Sequence, residues 1–152
     1  MIKLFKAVLL AAAVCSVSAG ETWLTDLEAA KKQAQKENKA VLIDFTGSDW
    51  CGFCIKLKKD VFDTEEFKKF AEKNLVLVEV DFPRRKKLPE GLSEKNQALQ
   101  EQFKVRGFPT IVLLDSSGKM IDTGDEFVGY GGEGMEKYIA KIQKALAKRV
   151  TS

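Results

Sequence analysis

Two short runs constrain this chain more than anything else in it. Ala40 to Phe45 reads AVLIDF, and Leu75 to Val80 reads LVLVEV. Both are nearly continuous in branched and apolar residues, short for helices, and free of the polar alternation that marks a half-exposed strand. Strands of this kind are buried on both sides, which favours a parallel sheet covered by helices on either face.

The intervening segments carry helical signals. TDLE (Thr25 to Glu28) reads as a capping box, and Leu27, Ala30 and Ala34 follow at helical spacing, predicting a helix from about Asp26 to Asn38. Leu57 and Val61 share one side of the next helix. Asp63-Thr64 restarts a helix with Phe67, Phe70 and Ala71 turned inward, and Ser93 is placed to cap another through about Phe103. TIVLL (Thr110 to Leu114), the DSSG turn and KMID (Lys119 to Asp122) predict an antiparallel hairpin. Met135, Tyr138, Ile139, Ile142, Ala145 and Leu146 line one face of a last helix. The expected order is α-β-α-β-α-β-β-α, one layered α/β domain. At 152 residues, 45% of them hydrophobic, the chain suffices for one core but not two ordinary ones.

Residues 1–19 are of another kind. A basic start (Lys3, Lys6) precedes an apolar run from Ala7 to Val17, and Val17-Ser18-Ala19 has the small-x-small pattern of a secretory cleavage site. The reading is a signal peptide over 1–19 and a single domain over 20–152, exported to the periplasm or the extracellular space. The apolar run is short for a membrane span, so no stable insertion is expected once it is removed. A lipoprotein reading would acylate Cys15, but the bulky Val14 before it argues against that.

Two of the 25 Lys and Arg residues lie in that leader, which leaves 23 against 22 acidic residues. A net charge of +1 offers no electrostatic case for nucleic acid or an anionic membrane. Histidine is absent, and of three cysteines only Cys51 and Cys54 follow the leader.

That pair, in GSDWCGFC, admits three readings. A zinc site needs four ligands, and neither a second cysteine pair nor a histidine is present, so no metal is expected. A permanent structural clip would close a loop of only two residues, the kind that constrains an unfolded chain least. A redox pair fits the position. The motif follows a strand and opens a helix, so Cys51 meets the unpaired N–H groups and positive dipole end that favour a thiolate. Cys54, three residues on and on the same helical face, can resolve the mixed disulfide that Cys51 forms.

These residues also carry a resemblance. VLIDFTGSDWCGFC, followed by VRGFPTIVLLDSSGK, resembles the thioredoxin superfamily, and CIKLKKDVFDTEEF with GFPTIVLLDSSG is similar to the exported thioredoxin-like domains of bacterial thiol:disulfide interchange proteins. The likeness spans about residues 40–146. It implies a thioredoxin-like fold, a central mixed β-sheet flanked by helices on both faces. It also implies Cys51 as attacking thiol, Cys54 as resolving thiol, Pro109 as the family's cis-proline, and Asp44 as the buried acid that relays the proton of Cys54. A cis Pro109 would turn the Phe108 backbone toward the active site, where an extended substrate can add strand-like hydrogen bonds. An acid within an apolar strand should have a raised pKa, although Asp44 at a strand end facing solvent is the alternative. Two departures stand out: the segment from Asp44 to Cys51 is one residue longer than in ordinary thioredoxin, and Leu77 matches the position of the lysine that partners the acid.

Trp50 and Phe53 flank the cysteines, either as an apolar rim for substrate or, for Trp50, as packing on the helix. Gly52-Phe53 lacks the histidine of strong oxidases, which argues against a strong oxidant. The run RRKK (Arg84 to Lys87) is either a solvated loop or a guide for an acidic partner. The expected activity is reduction or isomerisation of protein disulfides, with no cofactor and with electrons from a membrane-bound or other thiol donor. The rivals are a reductant dedicated to one partner, such as an apo-cytochrome, and a non-enzymatic peptide-binding module with a structural CxxC.

Overall fold

The two buried runs become the centre of the molecule. In the computed structural model, which describes residues 22–148, β1 spans Ala40–Thr46 and β2 spans Leu75–Asp81. They pair in parallel from Ala40 opposite Leu75 to Thr46 opposite Asp81. A third strand, β3 (Thr110–Leu114), runs antiparallel to β1, giving the order β2-β1-β3 with β1 in the middle. The sheet is mixed, as expected.

Among the described residues five α-helices surround it: α1 (Leu27–Glu37), α2 (Gly52–Leu57), α3 (Glu65–Asn74), α4 (Leu92–Gln102) and α5 (Met135–Ala147). Strand alternation sends successive side chains to opposite layers. Leu42, Leu77 and Leu113 meet Leu57, Phe67, Tyr138 and Ile142, the α2, α3 and α5 side. Val41, Ile43, Phe45, Val78 and Val112 meet Leu27, Ala30, Ala34 and Leu99, the α1 and α4 side. Both faces are covered, which is why these strands carry no polar alternation.

Local signals place most boundaries. Thr64 caps α3, its hydroxyl accepting from Phe67 N. Asn38 closes α1 in the left-handed region, a conformation its short polar side chain tolerates. After Leu57 the helix widens into a π-helical turn, Lys58–Phe62, closed by Asp63 N–H donating to Lys58 O at 2.8 Å.

Three expectations need correction. The cap of α1 is Asp26, which accepts from Ala29 N at 2.9 Å, whereas Glu28 pairs with Lys31, so no capping box forms around Thr25. Ser93 lies inside α4, whose cap is Gly91 at φ 76, a backbone conformation that suits glycine. The hairpin after β3 shrinks to isolated bridges, Leu114 with Met120 and Thr110 with Val128. The return segment pairs at both ends and bulges between, because the residues from Asp122 to Glu126 are more than a straight strand would hold. The leader over 1–19, with Cys15, lies outside the described residues.

Candidate active site

Cys51 is the residue that opens α2. Its backbone is extended (φ −84°, ψ 105°), its N–H donates to Gly47 O at 2.8 Å, and its Sγ accepts from Cys54 N at 3.3 Å. Cys51 and Cys54 form a disulfide with their Cα atoms 5.2 Å apart. In this oxidised form the two are almost equally covered, at 7% and 4% exposed. Exposure therefore does not distinguish them. Position does, because the Cys51 sulfur sits at the N-terminal end of the helix, where a developing thiolate meets N–H groups.

The turn before Cys51 is tightly tied. Trp50 Nε1 donates to Phe82 O at 2.7 Å, its ring lies under the Arg84 guanidinium at 3.7 Å, and it meets Phe108 edge-on at 6.1 Å. Gly47 permits this arrangement, since a Cβ there would come within 2.6 Å of the Trp50 ring. Trp50 thus bridges the motif, the loop after β2 and the Phe108–Pro109 segment. Phe53, 63% exposed, is the apolar side chain of the motif open to a partner.

The Phe108–Pro109 bond is cis, in agreement with the resemblance. Phe108 stacks on Phe82 at 5.0 Å, Pro109 is buried, and its carbonyl accepts from Gly129 N at 2.8 Å. The contact of Phe108 with Trp50 brings this segment to the cysteine motif.

Asp44 is buried rather than turned to solvent, 7% exposed, and its Oδ1 has no hydrogen-bond partner among the described residues. Its place in the strand puts it in the layer of Leu42, on the α2 side of the sheet. Burial, then the charges of Glu79 and Asp81, hold its pKa well above the ordinary carboxylate range. The residue opposite Asp44 on β2 is Glu79, whereas Leu77 pairs with Leu42. The expectation of a neutral neighbour is therefore corrected: a second acid, not Leu77, stands in direct register. Burial raises the pKa of Glu79 as well, with Asp81 adding to it and Lys86 and Lys58 opposing.

Further residues complete the site. Asp81, 4% exposed, accepts from Ser48 N at 2.9 Å and from Ser48 Oγ at 2.6 Å, and pairs with Lys86 at 2.9 Å. Asp49 gathers the backbone N–H groups of Arg84, Arg85 and Lys86 at 2.9, 2.8 and 3.2 Å. Tyr138 is fully buried on α5 with its hydroxyl unpaired among the described residues, and burial followed by the Asp44 charge holds its proton on well above the ordinary range. Glu79 was open to the argument that singled out Asp44, an acid inside an apolar strand. Asp49, Asp81 and Tyr138 had no comparable local signal. Among the described residues no cluster of three or more His, Cys, Asp and Glu is arranged to hold a metal.

The arrangement can exchange disulfides: a helix-end sulfur, a second sulfur one turn on, and a buried carboxyl of raised pKa in the adjoining layer. The comparisons with known proteins agree. A family model described as a thioredoxin-like domain matches residues 27–143. The disulfide bond reductase DsbH of Chlamydia pneumoniae is 39% identical over 120 residues, 79% of this chain and 70% of that protein. The thioredoxin-related protein DsbJ of the same organism is 31% identical over 99 residues, which cover 65% of this chain but only 28% of DsbJ. A solved structure described as DsbH oxidoreductase superposes with a TM-score of 0.72 at 36% identity, covering 97% of this chain and 94% of that one.

Proposed function

The chain belongs to the thioredoxin-like family of thiol–disulfide oxidoreductases, and we propose that it is an exported reductase or isomerase of protein disulfides. The observation that carries this reading is the Cys51–Cys54 disulfide with Cys51 at the start of α2. The name of the relative DsbH, a disulfide bond reductase, favours the reductive direction. Export rests on the leader pattern of residues 1–19. Among the described residues no helix is long and apolar enough to cross a membrane.

In the reduced protein, the Cys51 thiolate attacks one sulfur of a substrate disulfide. The substrate S–S bond breaks, a Cys51–substrate disulfide forms, and the departing substrate sulfur takes up a proton. Cys54 then loses its proton and attacks Cys51 Sγ, releasing the second substrate thiol and leaving the Cys51–Cys54 disulfide. Asp44 is suited to receive the Cys54 proton, since a carboxyl of raised pKa is a stronger base than an ordinary one. Two electrons pass to the substrate, so a membrane-bound or other thiol donor must restore the dithiol. Phe53 and the Phe108–Pro109 segment contact the substrate chain, and Trp50 supports them.

Insulin reduction by the reduced protein tests the reading beside the potential of the couple. A potential near about −270 mV with insulin turnover is expected. A couple that resists reduction, below about −300 mV, with no turnover would make the disulfide a structural clip and the chain a binding module.

A further inference from the structure

Resting on the reductase reading above, we propose that the loop Arg84–Lys87 is a recognition surface for acidic residues flanking the cysteine of a substrate disulfide. Charged loops are usually solvated and indifferent to partners, but three observations set this one apart. The first is anchoring. Asp49, two residues before Cys51, accepts backbone N–H groups from Arg84, Arg85 and Lys86, so the cations cannot drift from the cysteine motif without breaking three hydrogen bonds. Asp81 adds a second tie through Ser48 and Lys86.

The second is placement. The Arg84 guanidinium lies 3.7 Å from the centre of the Trp50 ring, which holds its charge beside the residue preceding the attacking thiol. The third is pairing. Of the four cations only Lys86 forms an ion pair among the described residues, and Arg84, Arg85 and Lys87 are exposed without one. Asp49, Asp81 and the half-buried Glu79 offset part of the charge of the four cations, which leaves the loop net positive beside the cysteine motif. An extended substrate lying across Phe53 and Phe108 would bring its flanking side chains within reach of this loop. Acidic ones would find partners there, and basic ones would be repelled.

The test uses three disulfide-linked homodimeric peptides whose single cysteine is flanked by aspartates, serines or lysines. Each rate of reduction by the full chain is divided by the rate with dithiothreitol, which removes the effect of the flanks on intrinsic thiol reactivity. At low ionic strength kcat/KM should favour the acidic over the basic peptide by about tenfold, with the neutral one between. At about 1 M salt, where the screening length falls to about 3 Å, the three should converge. The variant R85E/K87E spares the Arg84–Trp50 stack and should reverse the order, a result that damage to the fold would not produce. Equal rates for the acidic and basic peptides, or an order that survives R85E/K87E, would overturn the proposal. No reduction of any peptide, the neutral one included, would overturn the reductase reading and the proposal with it.

Discussion

Asp44 and Glu79 stand directly opposite each other on adjacent parallel strands, on the same face of the sheet. Burial first, then the Glu79 charge, raises the pKa of Asp44, and burial, then Asp81, raises that of Glu79. The folded protein therefore binds protons more tightly at these groups than the unfolded chain does. Stability should fall as pH rises from the unfolded value toward the raised folded ones, opposite to the usual effect of a salt-bridged carboxylate.

Asp44→Asn should flatten that decline and stabilise the fold at neutral pH by on the order of 1 kcal/mol, because a buried charge is no longer required. It should also slow insulin reduction by about tenfold or more near neutral pH, where the Cys54 proton needs an acceptor. The slowing should shrink as pH approaches the ordinary thiol pKa of about 8.5. Thermal melts and turnover measured from acidic to alkaline pH check both arms; equal turnover at every pH would remove Asp44 from the proton path.

The two cysteines should differ when each is replaced alone. Cys54→Ser leaves the intermediate on Cys51 without an internal thiol, so it should accumulate mixed disulfides with partner proteins. Cys51→Ser should accumulate none. Alkylation of the reduced parent at neutral pH, followed by mass mapping, should label Cys51 first, since the helix end favours its thiolate. Labelling of Cys54 first would exchange the two roles.

Gly47→Ala places a methyl group 2.6 Å from the Trp50 ring, too close for the ring to stay. The strain should cost about 1–3 kcal/mol. The ring should leave its bond to Phe82 O and its contact with Phe108, shifting tryptophan fluorescence and lowering turnover together. Unchanged fluorescence would mean that the turn adjusts without moving Trp50.

Asp49→Ala removes the acceptor of three backbone N–H groups, so amide exchange at Arg84, Arg85 and Lys86 should accelerate while the core strands stay protected. Those hydrogen bonds, from Arg84 first, hold the Asp49 pKa below its usual value. Protection in the parent should therefore persist as pH falls through the ordinary carboxylate range and be lost only below it. Hydrogen exchange followed by mass spectrometry across that range reads both effects.

Much of this protein is determined locally. The apolar runs at 40–45 and 75–80 dictate two strands buried on both faces, and β1 and β2 extend each by a single residue. The spacing of Cys51 and Cys54 dictates that both sulfurs meet within one helical turn, because three residues there span nearly one turn. The capping signals were legible in part: Thr64 of the Asp63-Thr64 pair caps α3, whereas Asp26 took the place of Thr25 and Gly91 that of Ser93. What the tertiary structure alone decided is which distant residues became neighbours. Register across β1 and β2 placed Glu79, not Leu77, beside Asp44. The fold carried Asp49 to a loop 35 residues away and set the Arg84 charge on Trp50. Local pattern reports which side of an element faces the core; strands buried on both faces, such as β1 and β2, carry no alternation to fix their register, so packing between elements sets it, as it sets the docking of loops.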